Sequence, residues 1–512
     1  MSEKNGNAAV YFVDRHGEGA QASKAAFMEA IEGGRELTFG ELAVQSAKMA
    51  DLYNKHGIQR EDRAAMIVLD CIEFPVIFWG SLKAGVVAVP VNTLLSSELY
   101  SVILRDSRAK ALFVSEELLP VVEPILHEAP DLKAIFVIGK SSGSHMNFSK
   151  EIARCEPSET LPVSSDECAF WLYSSGSTGQ PKGVRHVHGN LQATADTYGA
   201  QVLKIKPEDS IFSAAKLFFA YGLGNGMTFP MSVGATAYLY PGRPTPDTIF
   251  DIMKRARPSI FCGVPTLYAA LVEAMKSGVP EGFENLTRSL SAGEALPAEI
   301  GNRWKELTGT DILDGVGSTE MLHIFLSNKP GDVVYGTSGT AVPGYEIRVV
   351  DEAGAEVGPG GIGELLVNGP SSADGYWNQR NKSRSTFEGH WTRTGDKYEI
   401  QQDGRLVYCG RTDDMFKVSG IWVSPFEIEQ ALVSHPDILE AAVVPAVDEN
   451  NLEKPKAFVV LNESASSDDL EARLKDHVKE AVGKWKYPRW IEIVDDLPKT
   501  ATGKIQRYKL RA

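Results

Sequence analysis

A loop rich in glycine and hydroxyl residues stands first among the stretches that could do chemistry. Residues 173–184 read YSSGSTGQPKGV, most of them Gly, Ser or Thr, with Lys182 near the end. Glycine lets the backbone approach a ligand closely, and hydroxyls and free backbone N–H groups are the usual partners of phosphate oxygens. The loop therefore indicates a nucleotide-phosphate site, although a flexible linker has a similar composition.

This loop is not a P-loop of the Walker type. Lys182 is followed by Gly183, where that motif needs Ser or Thr for magnesium, and ATGKIQ near the end of the chain fails the same test at Ile505. The sequence thus disfavours a P-loop kinase or GTPase. The apolar run AFWLY directly before the loop predicts a buried strand, which places the loop at a strand end.

Bulk composition narrows the class of protein. A length of 512 residues predicts two or more domains. A net charge of −15 disfavours nucleic acid as the main partner. The N-terminus lacks the order of a signal peptide, no stretch reads as a membrane span, and five scattered cysteines fit a reducing compartment, so we expect a cytoplasmic protein with no membrane partner.

The elements that must position this chemistry predict an α/β fold. Helical patterns alternate with short apolar runs over residues 1–410, which is typical of layered α/β subdomains with mainly parallel strands. A β-rich subdomain is expected from Gly336 to about Tyr408. Residues 411–512 predict a small, mobile α+β domain. Its first helix is expected to begin at Ser424 and Pro425, with Ser424 and Glu427 forming a capping box.

Five stretches in order carry a resemblance to a known family. They are YSSGSTGQPKGV, VGSTE (316–320), RTGD (393–396), GRTDDMFKVSG (410–420) and PKTATGK (498–504). Together they resemble the core motifs of acyl-adenylate-forming enzymes, a superfamily that includes acyl-CoA synthetases, luciferases and peptide-synthetase adenylation domains. The resemblance covers essentially the whole chain. It implies that the protein uses ATP, Mg²⁺ and coenzyme A. In the family reaction a substrate carboxylate attacks the α-phosphate of ATP, and positive charge is needed because two anions meet.

The resemblance also implies roles for individual residues at the nucleotide. The phosphates would be cradled by Ser174, Ser175, Gly176, Ser177, Thr178, Gly179 and Lys182. Thr319 would face the phosphates and Glu320 would hold Mg²⁺. Adenine would meet Val316, Glu294 and Asp314, while Asp396 and Arg411 would bind the ribose. Simpler readings exist for three of these residues: Asp396 in a turn, Glu320 as a helix cap, and Arg411 paired with Asp413 or Asp414.

Domain alternation is implied for the two half-reactions. Lys504 would contact the carboxylate and the α-phosphate when the small domain closes, and the alternative is a solvated lysine in a basic tail. Rotation about a hinge at Asp413 would then bring KVSG to the site. There Gly420 would leave room for the pantetheine arm and Lys417 would serve the thioester step.

The expected acid-binding segment closely resembles the benzoate-CoA ligase branch. KLFFAYGLGN (216–225) and DGVGSTEMLHIF (314–325) would form a flat apolar slot, and the absence of an evident arginine disfavours a diacid. Its lining would be Phe219, Ala220, Tyr221, Gly293, Gly315, Gly317, His323 and Ile324. His323 could touch the substrate or be a core residue. Lys216 has no assigned role, and His186 and His188 are expected to be structural.

The leading hypothesis is therefore an aryl-CoA ligase, with benzoate as the first candidate acid. Alternatives are a 4-hydroxybenzoate- or aminobenzoate-CoA ligase, a stand-alone adenylation module that serves a carrier protein, and a catalytically silent nucleotide-binding protein. Ring substituents stay open because one small group changes binding by only about 1–3 kcal/mol. A monomer or a homodimer is expected.

Overall fold

The computed structural model describes most of the chain, as two compact units. The described residues are 5–175, 181–412, 414–418, 421–449, 452–462, 465, 469–483, 486–499 and 505–511, and Ser175, Lys417, Ile421, Trp422 and Tyr508 are described by backbone alone. One unit comprises Met1–Ile347 with Val367–Arg393, and the other Arg348–Leu366 with Thr394–Ala512. The boundary at residue 410 and the hinge stay predictions.

The first unit contains a sheet of nine strands whose six central strands are parallel. Short helices and loops join these strands, as the alternating sequence pattern predicts. In spatial order the strands are Thr340–Ala341, Ile324–Ser327, Ile312–Gly317, Arg288–Ser291, Ile260–Gly263, Ser210–Ser213, Thr236–Leu239, Ala25–Glu29 and Glu36–Thr38. The α/β class is thus confirmed.

A second sheet of the same unit has eight strands and carries the glycine-rich loop. The predicted strand before the loop is confirmed as Cys168–Ser175, and it pairs antiparallel with Pro181–Val187 on the other side of the loop. In spatial order the strands are Gly375–Tyr376, Pro181–Val187, Cys168–Ser175, Val87–Pro90, Arg63–Ile67, Ala111–Ser115, Ala134–Ile138 and Met146–Asn147.

Helices cover the sheets, and large aromatic side chains fill the space beneath them. Trp304, Tyr268 and Phe261 are fully buried in one core cluster, and each such side chain contributes roughly 1.5–3 kcal/mol through burial. None of the described helices is both long enough and apolar enough to cross a membrane. The α-helices are Ala8–Phe12, Phe39–Ala47, Met49–Lys55, Glu73–Lys83, Ser97–Ser107, Leu119–Val122, Phe148–Ile152, His188–Thr194, Ala220–Leu223, Phe229–Val233, Pro246–Ala256, Pro265–Ala274, Ala298–Thr308, Arg380–Thr386, Pro425–Val433 and Leu470–Val482.

Two helices of the first unit contain π-helical turns. His188–Thr194 continues into the π segment Ala195–Leu203, and Ala220–Leu223 continues through Gly224–Thr228 into Phe229–Val233. Such turns are rare and are often found at functional sites. The second of these helices begins within the predicted acid-binding segment.

The β-rich stretch predicted after Gly336 forms a sheet of five strands. They are Glu346–Val350, Ile362–Asn368, Phe387–Glu388, Trp391–Ile400 and Leu406–Arg411. The last two pair antiparallel, with Asp396 opposite Arg411.

The C-terminal part of the second unit has the predicted α+β pattern. A hairpin, Phe416–Val418 with Ile421–Val423, precedes a sheet made of Ile438–Val447, Glu453–Leu461 and Trp490–Ile493. Leu470, Leu474 and Val478 are buried on one helix face, as predicted. The capping box is only half formed: Ser424 accepts from the Glu427 N–H, but the Glu427 carboxylate pairs with Lys486 instead.

Candidate active site

Three side chains of the first unit form a compact charged cluster, which we name the Lys182 triangle. The Lys182 ammonium lies 2.7 Å from Oε1 of Glu320 and 3.0 Å from the Tyr376 hydroxyl. The same hydroxyl donates to Oε1 of Glu320 at 2.7 Å. Because only 12% of the Lys182 side chain and 14% of the Glu320 side chain are exposed, this pair is poorly screened by water.

The electrostatics of the triangle keep Glu320 ionised. Burial by itself raises the pKa of the carboxyl, but the positive charge of Lys182 and the hydrogen bonds from Lys182 and Tyr376 outweigh it and hold the pKa below its usual range. Glu320 lies in a turn after Ile312–Gly317, so it does not cap a helix. A charged carboxylate beside a lysine can hold a divalent cation and a polyphosphate once the two partners separate.

His186 fixes the backbone next to this cluster. Its ring is completely buried, and Nε2 donates to the Thr319 carbonyl at 2.8 Å. Burial lowers the pKa of His186, which keeps the ring neutral. Nδ1 of His188 accepts from the Ala8 N–H at 3.1 Å. Both histidines therefore make structural contacts, and within the described ranges no three His, Cys, Asp or Glu residues are grouped as metal ligands.

The predicted acid-binding segment surrounds His323 with aromatic rings. The His323 ring centroid lies 4.5 Å from that of Phe229, 5.2 Å from Tyr198 and 5.8 Å from Tyr221. Nε2 of His323 donates to the Tyr221 carbonyl at 3.4 Å, while Nδ1 is buried without a partner among the described residues. Burial lowers the pKa of His323 to about 3, so the ring is neutral and Nδ1 can only accept.

Glycines around this slot fall into two groups. A Cβ at Gly315 would come within 2.9 Å of Ile324, and one at Gly317 within 2.6 Å of the His323 carbonyl oxygen, so both allow close pairing with the strand Ile324–Ser327. At Gly293, where φ is +98°, a Cβ would meet nothing within 4 Å. The structure therefore brings His323 and Ile324 beside Gly315 and Gly317, and leaves open space at Gly293.

Gly224 lies within the predicted acid-binding segment 216–225 and packs against the His323 ring, although it is not among the predicted lining residues. A Cβ there would lie 2.4 Å from Cδ2 of His323 and 3.0 Å from the Phe229 ring. Glycine in a helix costs about 1 kcal/mol relative to alanine, so its presence here is explained by the ring that packs against it. Phe219, Ala220 and Tyr221 are half-buried at the start of the same helix.

Lys216 makes hydrogen bonds to backbone carbonyls, which gives it a structural role. Its ammonium donates to the Tyr240 carbonyl and, at 2.7 Å, to the Gly242 carbonyl. Asp70 is buried nearby and accepts from the Leu217 N–H at 3.2 Å. Burial lowers the pKa of Lys216, and the negative charge of Asp70 offsets part of this effect. These contacts fix the loop that leads into the slot.

Asp314 is a buried residue within the strand Ile312–Gly317, at the point where the parallel pairing of this strand with Arg288–Ser291 ends. Only 6% of the residue is exposed, and burial raises the pKa of its carboxyl to about 8. Oδ1 has no hydrogen-bond partner among the described residues. Val316 and Glu294, the other two residues predicted to contact adenine, are half-buried. An unpartnered buried oxygen of this kind suits an amino group on a ligand.

This burial predicts a pH-dependent effect of Asp314→Asn. The folded carboxyl keeps its proton to about pH 8, whereas the unfolded one ionises near its ordinary pKa, so wild-type stability falls as pH rises between these values. The amide does not titrate. As pH rises between these values, the stability of the variant relative to wild type should therefore increase by up to about 1.4 kcal/mol per pH unit. Urea unfolding from about pH 5 to about pH 8 measures this. Asp251→Asn, an exposed helix position, is the control, and a pH-independent difference for Asp314→Asn would contradict the expectation.

In the second unit, Asp396 and Arg411 form a pair on adjacent strands. Nη1 of Arg411 lies 2.8 Å from Oδ1 of Asp396 and 3.0 Å from the Thr394 carbonyl. Gly395 has φ +70°, and a Cβ there would lie 2.9 Å from the Arg411 guanidinium. The alternative partner Asp414 is instead bound by Arg507 and Arg511. Asp396 is therefore not simply a turn residue.

Basic residues near Lys504 in the sequence form ion pairs with acidic side chains. Lys499 lies 2.6 Å from Glu440 and 3.1 Å from Asp496. Arg507 donates to both oxygens of Glu429, at 2.8 and 2.6 Å. The tail is thus not a uniformly solvated basic segment. Lys504 itself lies outside the described residues, as do Gly176, Ser177, Thr178, Gly179, Asp413 and Gly420.

The hydroxyl of Ser174, at the start of the glycine-rich loop, is buried without a partner among the described residues. Ser174 pairs with Lys182 across the hairpin that the loop connects. A buried hydroxyl without a partner next to a lysine fits a phosphate oxygen.

The fold is that of an adenylate-forming enzyme. The chain belongs to the AMP-binding enzyme family: the model for AMP-binding enzymes matches residues 14–377, and that for the AMP-binding enzyme C-terminal domain matches residues 427–504. Five ordered motifs had indicated this membership, and it is confirmed.

Relatives and solved structures resemble the chain over its full length. It is 49% identical to a 4-hydroxybenzoate–CoA/benzoate–CoA ligase of Rhodopseudomonas palustris, over 100% of this chain and 95% of that protein. It is 50% identical to a benzoate–CoA ligase of Thauera aromatica, with coverage of 99% and 96%. The crystal structure of a benzoate CoA ligase from Burkholderia xenovorans LB400 matches with a TM-score of 0.91 and 46% identity, over 99% of this chain and 100% of that one.

Proposed function

We propose that the protein is an aryl-CoA ligase. It would activate an aromatic carboxylate with ATP to give aroyl-AMP and pyrophosphate, and then transfer the aroyl group to coenzyme A to give aroyl-CoA and AMP. The observation that carries the proposal is that the Lys182 triangle and the aromatic slot around His323 occur in one unit of a chain about half identical to two benzoate-activating ligases. Benzoate is the first candidate acid.

For the adenylation step we assign the phosphates to Ser174, Ser175, Gly176, Ser177, Thr178, Gly179 and Lys182. Thr319 would face the phosphates and Glu320 would hold magnesium. A bound Mg²⁺ would offset the charge of the triphosphate as pyrophosphate leaves. Glu320 suits it because the carboxylate is held ionised and its two donors both use Oε1. Lys504 would add positive charge at the attacking carboxylate and the α-phosphate.

For the nucleoside we assign Asp396 and Arg411 to the ribose, and Asp314, Val316 and Glu294 to adenine. Asp396 and Arg411 are already paired at 2.8 Å, which would orient the carboxylate for two hydroxyls. The unpartnered oxygen of Asp314 supports the contact with an exocyclic amino group.

For the aromatic acid we assign the slot formed by Phe219, Ala220, Tyr221, Gly293, Gly315, Gly317, His323 and Ile324. The rings around His323 give it apolar walls, which would pack against the two faces of a benzoate ring. For the thioester step, rotation near Asp413 would bring Lys417 and Gly420 to the aroyl-adenylate, where Gly420 would leave room for the pantetheine arm.

Gly224→Ala is expected to raise KM for benzoate about tenfold or more, because the new methyl would displace the His323 ring or Phe229. KM for ATP should change less than about twofold, since the triangle is untouched. The measurement is steady-state pyrophosphate release with either substrate varied. Gly226→Ala is the matched control on the same helix, where the Cβ would come no closer than 3.0 Å, to a Leu217 methyl. Equal effects of both variants would contradict the assignment of Gly224 to the slot.

One observation favours a substituted ring as a second candidate. Nδ1 of His323 and the Tyr221 hydroxyl are buried without partners among the described residues. A neutral imidazole nitrogen accepts a hydrogen bond, so a 4-hydroxybenzoate or aminobenzoate could donate to it. The relative in Rhodopseudomonas palustris carries both benzoate and 4-hydroxybenzoate in its name.

The test is pyrophosphate release by the purified protein with ATP and Mg²⁺ across a panel of acids, with and without coenzyme A. The panel holds benzoate, 4-hydroxybenzoate, 2-aminobenzoate, hexanoate and malonate. CoA-dependent turnover strongest with benzoate supports the proposal. A preference for hydroxyl- or amino-substituted acids supports the second candidate, and turnover with hexanoate overturns the slot. Efficient aroyl-adenylate formation that CoA does not discharge favours a carrier-protein partner, and no turnover favours a silent protein.

Location and assembly complete the proposal. We infer a cytoplasmic enzyme, since all five cysteines are free and two of them, Cys155 and Cys262, are buried, which suits a reducing compartment. A monomer or homodimer with small-molecule partners is expected, and sedimentation of the purified protein distinguishes the two states.

A further inference from the structure

We propose that Tyr376 is a positioning residue for the adenylation step, and that its hydroxyl keeps Glu320 oriented toward a divalent cation when Lys182 turns to the phosphates. This inference rests on the proposed function. Tyr376 lies 194 residues from Lys182 and 56 from Glu320 in the chain, yet its hydroxyl contacts both.

The geometry of the Lys182 triangle divides the two carboxylate oxygens between two tasks. Lys182 and Tyr376 both donate to Oε1 of Glu320, each at 2.7 Å. Among the described contacts, Oε2 receives neither of these donors. A carboxylate held through one oxygen still offers the other to a hard cation such as Mg²⁺.

The two donors differ in charge, and this decides which one can stay. When Lys182 binds a triphosphate, its ammonium can no longer neutralise Glu320, because the phosphates carry more negative charge. The ammonium would also repel a cation at the same carboxylate. The phenol hydroxyl is uncharged, so it can remain on Oε1 beside a cation without repulsion. Tyr376 therefore keeps the carboxylate in place during the exchange of partners.

Tyr376 is itself held firmly. Its N–H donates to the Ser383 hydroxyl at 3.0 Å, and it pairs with Val184 on the strand that carries Lys182. The following residue, Trp377, donates from Nε1 to the Asp106 carbonyl at 2.9 Å, and its ring lies 4.7 Å from that of Trp171. Because the backbone of Tyr376 is held by these contacts, its hydroxyl can orient Glu320 without moving with it.

The test is ATP binding to Tyr376→Phe by calorimetry, without acid or coenzyme A so that no reaction occurs. ATP is titrated once with a chelator and once with Mg²⁺. We expect affinity without metal to change less than about twofold, and the gain in affinity from Mg²⁺ to fall about tenfold, the usual range for a lost hydrogen bond to a charged group. The Mg²⁺ concentration for half-maximal pyrophosphate release should rise similarly, with KM for benzoate unchanged.

Tyr335→Phe is the matched control, because the Tyr335 hydroxyl also makes two hydrogen bonds in the first unit, to Asp311 and Ile312. It should leave the gain in ATP affinity from Mg²⁺ as in wild type. Thermal unfolding of both variants checks that they are folded. A full Mg²⁺-linked gain in Tyr376→Phe overturns the inference, as does an equal loss with and without Mg²⁺. Wild-type protein that gains Mg²⁺-linked ATP affinity but turns over no acid contradicts the proposed function and leaves this test valid; no gain in wild type contradicts both.

Discussion

Lys504→Ala should strongly lower the rate of adenylation while leaving the thioester step largely intact. A positive charge at the attacking carboxylate and the α-phosphate acts where negative charge develops, and its loss is expected to lower the adenylation rate about 10²- to 10³-fold. Aroyl-adenylate supplied ready-made needs no such charge, so its reaction with coenzyme A should stay within about threefold of wild type. Single-turnover assays of each half-reaction measure the two rates separately.

Lys509→Ala is the control for this variant, because Lys509 is an exposed lysine on the same tail. It should behave as wild type in both half-reactions if position, and not the overall basic charge of the tail, is what matters. Equal losses in the two half-reactions of Lys504→Ala would remove the domain-alternation role of that lysine. Equal losses in Lys504→Ala and Lys509→Ala would favour the basic-tail reading.

Glu320→Gln should lower adenylation about 100-fold or more at millimolar Mg²⁺, because the amide keeps the shape of the side chain but loses its charge. The amide oxygen can still accept from Tyr376, so the fold should survive, while Lys182 loses its ion pair. Raising the Mg²⁺ concentration should restore part of the rate. The thioester step from ready-made aroyl-adenylate should change less than about threefold.

The measurement is pyrophosphate release against Mg²⁺ concentration, with Asp374→Asn as the control. Asp374 is an exposed carboxylate two residues before Tyr376, and it pairs with Arg185. Its removal should leave the Mg²⁺ dependence unchanged. An unchanged Mg²⁺ dependence in Glu320→Gln would mean that the metal is held elsewhere. If added Mg²⁺ restores the adenylation rate of Glu320→Gln but not that of Lys504→Ala, the two residues have separate roles.

Local sequence patterns predicted the parts of this protein that depend on near neighbours. The buried strand Cys168–Ser175 before the loop and the buried face of Leu470–Val482 both follow from apolar periodicity. The start of the helix at Pro425 follows from proline geometry. The capping box failed because Lys486, far along the chain, competes for the Glu427 carboxylate. Five short motifs in order indicate the family, but they do not specify which distant side chains their residues contact.

Only the tertiary structure decided which side chains meet. Tyr376 reaches Lys182 and Glu320 because two strands pair in register at the edge of the eight-stranded sheet, and no local pattern encodes that register. Gly224 is required by the ring of His323, which a distant strand brings against it. The sequence by itself determined the fold class, the motifs and the kind of chemistry, since these rest on residue type and spacing. Partners, burial and shifted pKa values depend on contacts between distant segments, which form only when the chain folds.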